Sequence, residues 1–123
     1  MSFFRKRLKS FACALRGVGV LIRSQPHARI HLAATLAVLV SGLALGLDPV
    51  EWCLLILAII VVWAAEGMNT AIEFLADALH PDHHPLIGKA KDVASAAVLL
   101  AAAGAAIIGA LILGRHLLAF FCV

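Results

Sequence analysis

Residues Val93 to Gly114 form a stretch of 22 amino acids without a single charge. A helix rises about 1.5 Å per residue, so this stretch can cross the ~30 Å hydrocarbon core of a bilayer. Two further apolar runs precede it. Leu32 to Leu47 ends at Asp48-Pro49-Val50-Glu51. The next starts at Trp52, stays uncharged to Ala65 and keeps a helical pattern to about Leu79. Composition agrees, with 63% of the 123 residues hydrophobic and 14% charged, against about 25% charged in an average soluble domain. A water-soluble globule and a disordered chain are both excluded. The fold class is therefore an all-α membrane protein, a single membrane domain over residues 1–123. Helices that contain the spans are expected over about 31–48, 51–79 and 92–114. Gly42 and Gly46 stand at GxxxG spacing, which allows close helix approach in a membrane.

Charge is concentrated at the amino terminus. Residues 1–29 carry Arg5, Lys6, Arg7, Lys9, Arg16, Arg23 and Arg29 and no acid. Such a segment could meet nucleic acid or an anionic membrane surface. The apolar spacing decides for the membrane: Phe4, Leu8, Phe11, Leu15, Val18 and Ile22 recur every three or four residues, one stripe of a helix. Arg5, Lys9, Arg16 and Arg23 fall on another face. The segment is expected to be an amphipathic helix lying in the bilayer interface, and no nucleic-acid partner is expected. Arg16 and Arg23 also interrupt any apolar stretch that a cleaved signal peptide would need. Basic residues orient membrane chains toward the cytoplasm. The amino terminus and the connection bearing Lys89 and Lys91 are expected to be cytoplasmic. The Asp48–Glu51 turn and the carboxyl terminus are expected outside.

The second apolar run carries an unusual polar stripe. Glu66, Asn69, Glu73 and Asp77 are spaced 3, 4 and 4, so they fall within about an 80° arc of one helix. A carboxylate deep in hydrocarbon costs at least a few kcal/mol, so ionisable groups there are functional candidates. Asp77, and Glu73 with it, could simply emerge into water at the helix end. Glu66, directly after Val61-Val62-Trp63-Ala64-Ala65, fits that explanation least. Carboxylates at such spacing can hold a hard divalent cation, or divide metal binding and proton transfer between them. Gly88-Lys89-Ala90-Lys91-Asp92 follows, and lysines beside carboxylates at a membrane surface suit a nucleotide phosphate chain. No G-x-x-x-x-G-K-[ST] occurs, so such a site is not a P-loop. Snorkelling of the two lysines to the interface is the bland alternative. His80-Pro81-Asp82-His83-His84-Pro85 has metal-binding residue types, but its prolines and irregular spacing read as a loop. Cys13, Cys53 and Cys122 show no paired spacing and are expected to be buried, inert thiols.

The residues Ala65-Glu66-Gly67-Met68-Asn69-Thr70-Ala71-Ile72-Glu73, then Asp77, then Ala90-Lys91-Asp92 and Ser95-Ala96-Ala97-Val98, resemble the small bacterial diacylglycerol kinase family. That family also contains undecaprenol kinases. The resemblance runs over essentially the whole chain. It implies a membrane homotrimer in the bacterial cytoplasmic membrane, with composite sites between subunits. It implies transfer of the γ-phosphate of ATP, with Mg2+, to a lipid alcohol: diacylglycerol to phosphatidic acid, or alternatively undecaprenol to undecaprenyl phosphate. By matching position, Glu66 is implied as the proton acceptor and Glu73 as a metal ligand. Asn69 and Asp77 are implied as supporting polar residues. Lys91, Asp92, Asp82, His83 and His84 are implied at the nucleotide, and Ser95 in the lipid pocket. The family often has Glu-x-x-Phe-Arg before the first span, and its Glu is the second metal ligand. Here Gln25-Pro26-His27-Ala28-Arg29 stands there, offering a neutral carbonyl oxygen at Gln25. One fewer negative ligand should weaken Mg2+ binding.

Two rivals come from other classes. A small cation- or proton-coupled transporter would also use membrane carboxylates, but it has no need of the Ala-Lys-Asp segment. A structural or pore-forming protein leaves the stripe from Glu66 to Asp77 unexplained. Three spans cannot enclose a polar helix face alone, so an oligomer is expected.

Overall fold

The computed structural model describes residues 2–122. They form four helices in chain order: α1 Phe3–Ser24, α2 Pro26–Leu45, α3 Pro49–Leu79 and α4 Pro85–Phe121. Proline opens α2, α3 and α4, a position where its missing N–H costs nothing. Side chains fix the starts. Asp48 and Glu51 form a reciprocal capping box at α3, and the His84 ring accepts from Leu86 N–H at α4.

The helices depart from their expected bounds. α2 runs Pro26–Leu45 rather than 31–48, and α3 starts at Pro49 rather than 51. α4 starts at Pro85 rather than 92 and continues past Gly114 to Phe121. Lys89, Lys91 and Asp92 therefore stand on a helix and not in a connection. The GxxxG pair is divided in function. Gly42 is buried against the edge of Trp52, where a Cβ would come within 2.7 Å of the indole. Gly46 adopts φ +67° and ends α2, its N–H donating to Gly42 C=O, a left-handed cap that glycine adopts without strain. The cysteines depart from expectation too. Cys13, Cys53 and Cys122 are free and exposed: Cys13 and Cys53 lie on helix faces turned away from the internal contacts, and Cys122 follows the end of α4.

α2, α3 and α4 are each long and apolar enough to cross a membrane. Their outer faces expose Leu43, Leu57, Leu100, Ile107 and Leu111. Water does not tolerate continuous apolar surface of this kind, whereas hydrocarbon does. The chain is an integral membrane protein. α3 and α4 pair most extensively and run antiparallel. Lys91 Nζ meets Asp77 Oδ1 at 2.5 Å near one end of the pair. At the other end Arg115 pairs with Glu51, and His116 Nε2 lies 2.9 Å from Glu51 Oε2. Asp77 and Glu51 are separated by about 39 Å of helix at 1.5 Å per residue, close to the full thickness of a bilayer with its headgroups. The apolar core is small and sits nearer the Glu51 end: Leu47, Leu55 and Ile112, ringed by Val38, Leu45, Trp52, Ile108 and Leu113.

Candidate active site

The joint between α1 and α2 is a single extended residue, Gln25, with φ −115° and ψ 117°. Two features make it rigid. Pro26 fixes the first residue of α2. The Arg29 guanidinium, one turn into α2, reaches back to Ile22 C=O at 3.2 Å and Arg23 C=O at 2.8 Å. Those carbonyls belong to the last turn of α1, where helical partners run out and a cation is favoured. The braced joint aims Gln25 at α3. Its Nε2–H donates to Glu73 Oε2 at 3.1 Å.

α3 delivers the polar stripe with a gradient of burial. Glu66 is 2% exposed and Asn69 8% exposed, Glu73 is half-buried and Asp77 exposed. The bland reading of a solvated helix end thus fits Asp77 and fails for Glu66. Asn69 Nδ2–H donates to Glu73 Oε1 at 3.3 Å, so both Glu73 oxygens are occupied by amides, one from α3 and one from the α1–α2 joint. Asn69 Oδ1 is buried with no hydrogen-bond partner, and so is Thr70 Oγ1. Unsatisfied buried polar atoms typically cost about 1–3 kcal/mol each, which marks them as places where a ligand could bind.

Sequence reasoning missed one contact at the buried end. His31 Nε2 of α2 lies 3.5 Å from Glu66 Oε2. One turn along α2, Thr35 Oγ1 accepts from the Trp63 indole N–H at 3.0 Å and donates to His31 C=O at 2.7 Å. His31 and Thr35 are four apart and Trp63 and Glu66 three apart, so two polar contacts set the register of α2 on α3. A lone histidine in an apolar run carries no periodic signal that would have revealed this.

The nucleotide candidates lie toward the Asp77 end. Lys91 pairs with Asp77 across α3 and α4. Asp82, His83 and Asp92 are exposed and His84 half-buried. The loop between α3 and α4 is ordered by its own histidines: His80 Nδ1 lies 2.8 Å from Asp82 C=O, and His84 caps α4. Among the described residues no cluster of three His, Cys, Asp or Glu side chains is arranged to hold a metal ion by itself. Ser95 is exposed on α4.

Two apolar grooves open on the surface of the chain. One, of about 560 Å³, runs between α2, α3 and α4, and its only polar side chains are His31 and Thr35. The other, of about 470 Å³, lies between α1 and α3, from Gly17 and Leu21 to Trp63, Gly67 and Phe74, with Thr70 as its hydroxyl.

The model of the prokaryotic diacylglycerol kinase family matches residues 12–113, a range that includes the joint, the α3 stripe and most of α4. The chain is 40% identical over 104 residues to an undecaprenol kinase of Bacillus subtilis, covering 85% of each protein. It is 31% identical over 113 residues to a diacylglycerol kinase of Escherichia coli, covering 92% of this chain and 93% of the relative. It is 43% identical over 92 residues to a diacylglycerol kinase of Helicobacter pylori, covering 75% and 67%. A match of this extent, laid over a carboxylate stripe in a chain with three helices long and apolar enough to span, makes this protein a member of the prokaryotic diacylglycerol kinase family.

Proposed function

We propose that the chain is a lipid kinase that transfers the γ-phosphate of ATP to the primary hydroxyl of a membrane lipid alcohol. The observation that carries this reading is Glu66: a carboxylate 2% exposed, inside an apolar helix, with Asn69 and Glu73 following on the same face. Glu66 accepts the proton of the lipid hydroxyl. Phosphoryl transfer otherwise needs positioning and neutralisation of charge. About 10 Å of helix separates Glu66 from Glu73, leaving room for the reacting hydroxyl and phosphoryl group between them.

The donor set fits Mg2+. Glu73 supplies one carboxylate, Asn69 Oδ1 is a buried oxygen with no donor, and Mg2+ is commonly held by one or two carboxylates plus substrate phosphates. When bound, the ion neutralises the phosphate charge during transfer. Gln25 presents its amide nitrogen to Glu73, and nitrogen of an amide is no ligand. Rotation of that amide would bring its carbonyl oxygen round, the form in which Gln25 would hold the ion with Glu73 and Asn69. Lys91 supplies positive charge to the nucleotide, with Asp92, Asp82, His83 and His84 around it. The exposed Lys91–Asp77 pair is the kind worth little in water, so phosphate oxygens can take Lys91 from Asp77. Ser95 contributes to the lipid pocket.

The same reading takes residues 1–123 as one membrane domain, with α1 in the interface. α1 has no buried residue, and Phe4, Leu8, Phe11, Leu15 and Val18 are exposed along it. The basic amino-terminal segment supports a cytoplasmic amino terminus and an outside carboxyl terminus, in the bacterial cytoplasmic membrane. The open groove lined by α2, α3 and α4 supports a homotrimer, in which a neighbouring subunit covers surface that this chain leaves bare.

Diacylglycerol, giving phosphatidic acid, is the first acceptor on this reading. Undecaprenol is the second, favoured by the 40% identity to a protein of that name and by a groove at α1 and α3 with Thr70 as its hydroxyl. A polyprenol brings one hydroxyl and no ester carbonyls. The deciding experiment is phosphate transfer from labelled ATP by the purified protein in mixed micelles, with each lipid offered alone and both together. Label in one product assigns the acceptor. No transfer to either lipid with Mg2+ present overturns the lipid-kinase reading.

A further inference from the structure

We infer that His31 is the positioning residue for Glu66, holding the carboxylate so that one oxygen faces the incoming lipid hydroxyl. This inference rests on the lipid-kinase reading. His31 Nε2 lies 3.5 Å from Glu66 Oε2, with the imidazole 19% exposed and the carboxylate 2% exposed. The two side chains stand at ion-pair distance without a hydrogen bond between them, and catalytic contacts in ligand-free proteins are often this loose and tighten when substrate arrives. Among the described residues Glu66 has no other ion-pair partner: the remaining pairs are Lys91 with Asp77, and Arg115 and His116 with Glu51. The α2 register is fixed just beside this contact, because Trp63 donates to Thr35 and Thr35 to His31 C=O. The backbone that carries the imidazole is therefore held in register with Glu66.

A buried histidine–carboxylate pair is poor value as a pure stabiliser, since apolar residues of similar volume commonly do as well. As an orienting device it has a clear task. An Nε2–H that tightens onto Oε2 leaves the other oxygen, Oε1, to take the proton. In the step itself the lipid O–H bond breaks as the new O–P bond forms. The bond from the γ-phosphorus to the bridging oxygen breaks, its electron pair leaves on ADP, and the proton ends on Glu66 Oε1. His31 touches none of the reacting atoms and works through Glu66 alone. It also lines the 560 Å³ groove, so a small molecule can reach the space that its loss would open.

The test uses His31→Ala and His31→Gln in the full-length protein in mixed micelles with ATP and Mg2+, beside Glu66→Gln. His31→Ala is expected to lower kcat about 10- to 100-fold, within the range found for proton-transfer groups, with KM for ATP within about twofold. His31→Gln keeps an N–H donor and is expected to recover most of that loss. Added imidazole is expected to raise kcat of His31→Ala and to leave the unaltered protein unchanged. A kcat of His31→Ala within about twofold of the unaltered protein overturns the inference. So does a loss that neither glutamine nor imidazole relieves, because a purely structural role behaves that way. If His31→Ala does not fold, His31→Gln decides alone: near-normal kcat supports orientation by a donor, and a full loss overturns it. Failure of the inference leaves Glu66→Gln inactive beside active His31 variants. Failure of the underlying reading shows instead as no phosphate transfer by the unaltered protein, or as normal transfer by Glu66→Gln.

Discussion

Glu66 and Glu73 sit two turns apart on one helix face, yet their surroundings differ. Glu66 is sealed from solvent and has an imidazole as neighbour, which suits a proton acceptor. Glu73 is half-buried between two amides, which suits a ligand that can exchange those amides for a cation. Glu66→Gln removes the acceptor and keeps the shape. It is expected to cut phosphate transfer by about 10²- to 10⁴-fold with an unchanged helical circular dichroism spectrum, and normal turnover would strip Glu66 of the role. Gln25→Glu would set a second carboxylate against Glu73. Without a cation the two charges repel across a 3.1 Å contact, and with Mg2+ they share it. The variant should melt at a lower temperature in chelator, and should need less Mg2+ for half-maximal activity. An unchanged Mg2+ titration would place the metal elsewhere. The stripe was legible from spacing alone because helix periodicity converts i, i+3, i+4 directly into a common face. His31 was not, because its meaning depends on a partner 35 positions away on another helix.

At the scale of the element, glycine and proline mark where each helix starts and stops, and one glycine sets how closely two helices meet. Gly42 admits the Trp52 ring to the α2 backbone, and an added methyl would lie 2.7 Å from it. Gly42→Ala therefore forces the indole to move and should cost about 1–3 kcal/mol of stability. Gly46→Ala meets no atom within 4 Å and acts through its φ of +67° instead, at about 1–2 kcal/mol. Unfolding in mixed micelles with added denaturing detergent separates the two. A neutral Gly42→Ala would show that Trp52 packing does not hold α2 in place. The apolar runs themselves were readable as helices, but their ends were not. Pro85 and His84 begin α4 well before the first uncharged residue, because capping and hydrophobicity are independent signals.

For the whole molecule, the two polar clasps bracket the membrane span of the α3–α4 hairpin. They are unequal. Glu51 is 6% exposed and is held by Arg115, His116 and the Asp48 N–H, whereas Asp77 and Lys91 meet at an open surface. Burial decides what their loss does: Glu51 is the sealed acceptor that Arg115, His116 and the Asp48 N–H share, so its removal breaks the start of α3 and its tie to α4 together. Glu51→Ala should lower the melting temperature by several degrees, and should leave kcat near normal because the site lies at the other end of the hairpin. Asp77→Ala should barely move the melting temperature. A loss of kcat in a still-folded Glu51→Ala protein would show that the far end is coupled to catalysis.

Sequence by itself determined that this chain is a membrane protein, that three of its helices are long and apolar enough to span, and that Glu66, Asn69, Glu73 and Asp77 share a face. Each of these follows from hydrophobicity and a 3.6-residue period, which are properties of a single segment. Only the tertiary structure decided that Glu66 is sealed while Asp77 is open, and that Gln25 faces Glu73. It also decided that His31 faces Glu66 and that Glu51 anchors α4 through Arg115 and His116. These are relations between segments, created when side chains from separate helices pack against one another, and no local pattern carries them.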